Sequence, residues 1–66
     1  MRKEIIEAVR KHAEGHIAKH KANVEVLMQK PVGVAEHPDI METLEKEFEQ
    51  IAVNKDLVDV IEEYFE

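Results

Sequence analysis

Apolar residues recur every three or four positions along the first 28 residues of the chain. On a wheel of about 100° per residue they fall within one arc of roughly 140°, as expected for a helix that buries one broad face. Proline at position 31 disfavours a helical conformation at the residue before it, so the helix must end near Gln29. The pattern therefore predicts a first helix over about residues 2–29. Its apolar arc holds Ile5, Ile6, Val9, Ala13, Ile17, Val24, Leu27 and Met28.

A second helix is predicted over about residues 38–65, after a connection of about residues 30–37. Pro38 suits the first helical position, and Asp39 places negative charge where the helix dipole favours it. That arrangement leaves His37 as the residue at the N-cap. One face of this helix holds Ile40, Met41, Leu44, Phe48, Ile51 and Ala52.

The apolar positions of the second helix change direction after Asn54. On the same wheel they are rotated by roughly 120° from the first face. No proline or glycine stands near this point to bend the helix, so we interpret the rotation as a second contact surface. Asn54 itself is either a solvated residue or a polar residue of the helix–helix contact, where it would fix register. The rotated residues are Leu57, Val58, Ile61, Tyr64 and Phe65.

Two helices of similar length with a short connection predict an all-α, antiparallel two-helix hairpin that forms one domain over residues 1–66. Residues whose numbers sum to about 68 should then face each other. A lone hairpin leaves part of each apolar face in water, so we expect two copies to form a homodimeric four-helix bundle. Another protein covering these faces is the alternative. The residues expected in the core or at the dimer contact are Ile6, Val9, Ala13, Ile17, Val24, Leu27, Leu44, Phe48, Ile51, Val58, Ile61 and Phe65.

Charge divides the chain into a basic first part and an acidic second part. The net charge is −6. Residues 1–30 carry seven Lys and Arg against four Glu, a net +3, whereas residues 31–66 carry two Lys against eleven Asp and Glu, a net −9. The antiparallel pairing would bring the basic start of the first helix beside the acidic end of the second. The residues concerned are Arg2 and Lys3 on one side and Glu62, Glu63 and Glu66 on the other.

Composition also narrows the classes of partner and location. A negative net charge disfavours nucleic-acid binding, and the remaining route would be the basic residues of the first helix, Arg10, Lys11, Lys19 and Lys21. No run of about 18 apolar residues is present, so no membrane span is expected. The first residues lack the apolar core and cleavage site of a signal peptide, which favours a cytoplasmic location. The chain has no cysteine, so neither disulfides nor thiolate metal sites form.

Three histidines spaced four residues apart, His12, His16 and His20, are the residues with the most distinctive chemistry. This spacing puts neighbouring imidazoles on one helix face, and two such helices across a dimer could supply four nitrogens to a metal ion. Glu14 follows His12 by two residues, so the His-Glu-x-x-His arrangement of metalloproteases is absent. The alternative interpretation makes them polar residues of the helix–helix contact, with His20 opposite Glu47 or Phe48. Protonation would then affect assembly.

No catalytic constellation is evident elsewhere. The chain has no serine or cysteine, a single threonine, Thr43, and no glycine-rich phosphate loop. We therefore expect a protein that is not an enzyme and that needs no cofactor. Its predicted function is a helical interaction or assembly module, and the alternative is a histidine-based metal-binding bundle using His12, His16 and His20.

The run GHIAKHKANVEVLMQKPVGVAEHPDIMETLEKE, which covers residues 15–47, resembles small helical proteins of unknown function encoded by large tailed phages of marine cyanobacteria. In those proteins the segment after the position of Ile51 looks more continuously aromatic and leucine-rich, whereas VNKD interrupts it here. The resemblance implies an origin in phage-infected bacterial cytoplasm. It assigns no role to any residue.

Overall fold

The computed structural model describes residues 1–29 and 37–66, and the side chains of residues 1–29 and 39–66. The described residues form two helices, α1 (Arg2–Met28) and α2 (His37–Tyr64), which pack against each other. The prediction of an all-helical chain with two packed helices is confirmed. Most of the expected connection, at residues 30–36, lies outside the described residues.

Local contacts account for the helix ends. The terminal ammonium group of Met1 lies 2.8 Å from a carboxylate oxygen of Glu4, so negative charge in the first turn of α1 offsets the helix dipole. Gln29 keeps a helical conformation, with φ −87° and ψ −9°, and its N–H donates to the carbonyl of Glu25 at 3.2 Å. In α2, the hydroxyl of Thr43 donates to the carbonyl of Asp39 at 2.7 Å.

The helices run antiparallel. The guanidinium of Arg10 contacts Glu62, and further along α1 the imidazole of His20 contacts Glu47. As residue numbers rise in α1, the numbers of their partners fall in α2. The hairpin is a rod of 52 × 15 × 11 Å between Cα atoms, which is a single layer two helices wide.

The two helices meet along a contact that we call the seam, in which residues alternate at spacings of three and four. Such a heptad spacing keeps one stripe of each helix on its partner. These residues are buried or half-buried in the hairpin, and facing pairs have numbers that sum to 67 or 68. The seam of α1 comprises Ile6, Arg10, Ala13, Ile17, His20, Val24 and Leu27, and the seam of α2 comprises Ile40, Leu44, Glu47, Ile51, Asn54, Val58 and Ile61.

Three of the residues expected in the core or at the dimer contact lie outside this stripe. Val9, Phe48 and Phe65 are each about half exposed in the single hairpin. A wheel at 100° per residue drifts by about 20° per heptad relative to a supercoiled seam, and so it gathers flanking positions such as Val9 into the apolar arc. The group of apolar residues after Asn54 likewise divides, because Val58 and Ile61 belong to the seam whereas others of the group are exposed.

Asn54 is a residue of the seam and not a solvated one. Its side chain is 7% exposed, and its amide nitrogen donates to the carbonyl of Gln50 at 2.8 Å, one turn earlier in α2. In the register of the hairpin it lies opposite Ala13, which is 2% exposed. The small alanine side chain leaves room for the amide between the helices. The helix continues through this point from His37 to Tyr64.

The acidic end of α2 is bound by a different cation from those expected. Glu62 and Glu66 form ion pairs with Arg10, at 2.9 Å in the case of Glu62, and not with the predicted Arg2 and Lys3. Arg10 occupies a seam position, where its aliphatic stem is buried and its charged head reaches along α2 to the carboxylates. Arg2 and Lys3 do lie beside the end of α2, where they line one groove with Glu66, but the ion pairs are formed by Arg10.

Candidate functional site

The candidate site is a group of polar side chains at the middle of the hairpin. The i, i+4 spacing along α1 brings the Nε2 atoms of His12 and His16 to 3.0 Å from each other, with ring centroids 4.6 Å apart. The ring of His20 lies next in the row, stacked on His16 with a centroid distance of 6.2 Å. The predicted histidine row therefore exists as one continuous series of rings on one side of α1.

The two nitrogens of the first pair cannot both carry a proton at 3.0 Å. One Nε2–H donates while the other Nε2 accepts, or both direct lone pairs at one shared cation. Both side chains lie where solvent reaches them. The pair formed by His12 and His16, which we call the imidazole pair, is thus a place where a single proton or a single metal ion can be held.

His20 belongs to a different group of contacts. Its Nδ1 lies 2.6 Å from a carboxylate oxygen of Glu47, and the side-chain amide of Asn23 donates to the same oxygen at 3.0 Å. The pairing rule predicts His20 opposite Glu47 or Phe48, and the structure has it on Glu47. The hydrogen bonds from His20 and Asn23 lower the pKa of the Glu47 carboxyl from its usual value, and burial opposes them. This contact joins the two helices through a carboxylate that is held ionised.

The histidines therefore divide into a pair and a seam residue. Within the described part of the chain, no three His, Asp or Glu side chains come close enough together to hold one metal ion. His20 is engaged with Glu47, which leaves the imidazole pair with two nitrogen ligands from one chain. Of the three candidate metal ligands, the structure brings His12 and His16 together and places His20 against Glu47.

The seam holds few fully buried apolar side chains. Among the described residues, the buried ones are Ala13, Val24 and Ile61, joined by the polar Asn54. Arg10, His20 and Glu47 occupy further seam positions that apolar residues fill in most helix pairs. Helical stability in proteins comes chiefly from packing of an apolar face, so the seam alone gives this hairpin modest support.

A strip of apolar and polar residues lies beside the seam, on the same side of the hairpin as the imidazole pair. From Ile5 to Val26 in α1 and from Thr43 to Val60 in α2, each of its members lies one position before a seam residue. We call this side the acid-free face, because between its first and last residues it carries no Asp or Glu. It comprises Arg2, Ile5, Val9, His12, His16, Lys19, Asn23 and Val26 of α1 and Thr43, Lys46, Gln50, Val53, Leu57, Val60 and Tyr64 of α2.

The opposite side of the hairpin is charged. There, Lys21 and Phe48 border a shallow groove above Val24 and Ile51, which shows that the residues flanking the seam on that side meet across it. The remaining outer surface of α2 carries a row of carboxylates at Glu42, Glu45, Glu49, Asp56, Asp59 and Glu63. Carboxylates are therefore absent from the acid-free face but present on the other exposed surfaces of the hairpin.

The hairpin also exposes more surface than a compact protein of its mass. A folded monomer of 7.7 kDa exposes about 4,300 Å², whereas this chain exposes 5268 Å². The difference of roughly 900 Å² is close to the ~800 Å² that each partner contributes to a standard protein interface. An elongated layer of two helices has more surface for its mass than a compact domain does.

Comparison with protein-family models, with curated proteins and with solved structures finds no match to this chain. In the part of the chain that the structure describes, no helix is both long and apolar enough to cross a membrane. The geometry of the two helices is consequently the basis for any functional conclusion.

Sequence reasoning identified the histidine row and the contact of His20 with Glu47, and it missed two participants. Asn23 donates a hydrogen bond to Glu47. Its position three residues after His20, which puts it on the same side of the helix, could have indicated this contact. Arg10 takes the acidic end of α2, and its signal was a charged residue within an otherwise apolar spacing of three and four. The acid-free face was not predicted as such. It can be identified only when the seam residues are known, because the seam determines which side of each helix stays exposed.

Proposed function

We propose that this protein is a non-enzymatic helical interaction module that works as a homodimer, with two hairpins joined through their acid-free faces into a four-helix bundle. The observation that carries the proposal is the acid-free face itself. On a chain with net charge −6, this face lets two copies approach without bringing carboxylates together. Most of the large apolar side chains that the seam leaves exposed lie on this face, Leu57 and Val60 among them.

The dimensions of the face suit this role. A helix of 27 residues is about 40 Å long, and two adjacent helices are about 20 Å across. Full overlap of two such faces would bury roughly 800 Å² on each copy, the area typical of a specific interface. It would also give the single layer the second layer that helical domains need to enclose a core.

The charged sides would then point outwards in the dimer. The carboxylate row of α2 lies away from the acid-free face, so it stays in water and limits further association. A partner protein that recognised the dimer would meet this acidic surface, which suits a basic partner. A phage accessory or structural factor is the biological setting that the resemblance of residues 15–47 suggests.

The proposal is tested by thiol protection, which the lack of native cysteine makes specific. Val60→Cys places one thiol on the acid-free face, and Asp56→Cys places one on the outer surface of the same helix. We expect the first thiol to react slowly at high protein concentration and quickly after dilution, because dimerisation covers it. The second thiol should react at one rate throughout. Equal, concentration-independent rates for both variants would rule out this face as the interface.

A further inference from the structure

We propose that the imidazole pair is half of a metal site for a divalent transition-metal ion of the zinc class, completed by the same pair of a second copy. The inference rests on the proposed homodimer. The full site would hold four imidazole nitrogens, two from each chain. Imidazole is a preferred ligand of zinc, and four ligands are its usual number in structural sites.

The geometry of the pair fits one shared ion. A metal about 2.1 Å from each nitrogen would subtend an angle of roughly 90° at the observed Nε2–Nε2 separation of 3.0 Å. Opening this angle to the tetrahedral value needs about 0.4 Å more between the nitrogens, which small side-chain rotations supply. Since one chain offers the ion two nitrogens and no third ligand among the described residues, the remaining ligands come from outside that chain.

The position of the pair along α1 explains why a second copy supplies them. His12 and His16 lie on either side of the midpoint of the helix, which runs from Arg2 to Met28. Two acid-free faces could overlap fully about a two-fold axis that runs perpendicular to the helices at the level of His12 and His16. In that arrangement α1 would pack antiparallel to the α1 of the other copy. The two imidazole pairs would then meet at the axis. In the register of the hairpin, Val53 of α2 lies at the same level and would meet its own equivalent.

The ion would be held by neutral imidazole nitrogens alone, because the acid-free face carries no carboxylate between its ends. Lys11 and Lys19 border the same shallow groove as the imidazole pair, so metal–imidazole bonding has to outweigh repulsion from these two ammonium groups. His20 is kept out of the ligand set by Glu47 at 2.6 Å, and that contact fixes the adjacent turn of α1. Lys19 lies on the same face and provides a control position next to the site without being a ligand.

The test combines calorimetric titration with zinc chloride and native mass spectrometry of the full chain. We expect saturable binding of one zinc ion per two chains, lost in both His12→Gln and His16→Gln and retained in Lys19→Gln. Cobalt(II) should give the intense visible absorption of a four-coordinate ion in the unmodified chain. Absence of saturable binding, binding of one ion per chain, or binding retained in His12→Gln would each overturn the shared site.

The experiment distinguishes failure of the metal site from failure of the proposed dimer. Chelator-treated protein shows whether the chain associates without metal. If it is a monomer at all concentrations, the proposed function is contradicted. A dimer in the chelator-treated protein with no zinc bound in the titration overturns only the metal site. Circular dichroism of each histidine variant, compared with the unmodified chain, shows that the helices are retained.

Discussion

A single charge on the acid-free face should weaken association, and Leu57→Glu is the sharpest such change. In the single hairpin the Leu57 side chain is 46% exposed. Complete burial of a leucine side chain contributes about 1.5–3 kcal/mol, so covering the remaining half contributes roughly 0.7–1.4 kcal/mol in each copy. Two-fold symmetry doubles the loss to about 1.5–3 kcal/mol, and the dissociation constant should rise about tenfold to a hundredfold. Removing the new carboxylate from water adds to this loss, and the basic residues of the face offset part of the addition.

Phe48→Glu is the matched control. Phe48 is 50% exposed, lies on the same helix and is apolar, but it belongs to the opposite side of the hairpin. Sedimentation equilibrium of both variants over a range of concentrations should give a weakened dimer for Leu57→Glu and an unchanged one for Phe48→Glu. The reverse result would refute the assignment of the face, because it would place the interface over the groove beside Val24 and Ile51.

Three further predictions concern the hairpin itself. Ile61→Ala removes one of the buried apolar side chains and should lower the free energy of unfolding by about 2–4 kcal/mol. Denaturant titration measures this loss, and a loss below about 0.5 kcal/mol would mean that the seam is not the core. Gly15→Ala should raise that free energy by about 0.5–1 kcal/mol, since a Cβ there meets nothing within 4 Å and glycine weakens a helix interior. The lowered pKa of Glu47 means that its contribution is present above the pKa of the unfolded chain and is lost as the pH falls through the folded pKa. Melting temperatures of the unmodified chain should therefore decrease in the acid range below the ordinary glutamate pKa, and Glu47→Gln should show a smaller decrease; identical profiles would contradict this assignment.

The periodicity of apolar residues predicted the helices and their pairing because it follows directly from helix geometry. The predicted bounds differ from α1 (Arg2–Met28) and α2 (His37–Tyr64) by one residue at most. The pairing rule placed His20 opposite Glu47 or Phe48, and the structure has His20 in contact with Glu47. The register of two paired helices leaves few alternatives, so residue numbers indicate to within about one position which residues face each other.

Details that depend on side-chain reach were less predictable. Arg10, and not Arg2, binds Glu62, because a long side chain on the seam extends about one turn along the partner helix. A straight wheel also could not separate seam residues from their neighbours, so it placed Val9 and Phe48 in one group with seam residues such as Ile17. Only the supercoiled register distinguishes them. The acid-free face follows from the same distinction, since it is defined by what the seam leaves uncovered.

The polar residues of the seam have a consequence for assembly. Arg10, His20, Glu47 and Asn54 replace apolar contacts with directional ones, which fix the register of the two helices more strongly than they stabilise them. The register of the two helices is therefore well defined, although few apolar side chains are packed between them. In the proposed dimer, the second copy would supply a second layer that covers apolar residues which the seam leaves exposed.

Sedimentation equilibrium of the unmodified chain in the presence of a chelator tests the central claim most directly. The account predicts a particle of twice the chain mass of 7.7 kDa that dissociates on dilution and regains its dimeric mass on concentration. A well-folded helical monomer at every concentration, with no tendency to associate, would contradict the claim that the acid-free face exists to be covered by a second copy.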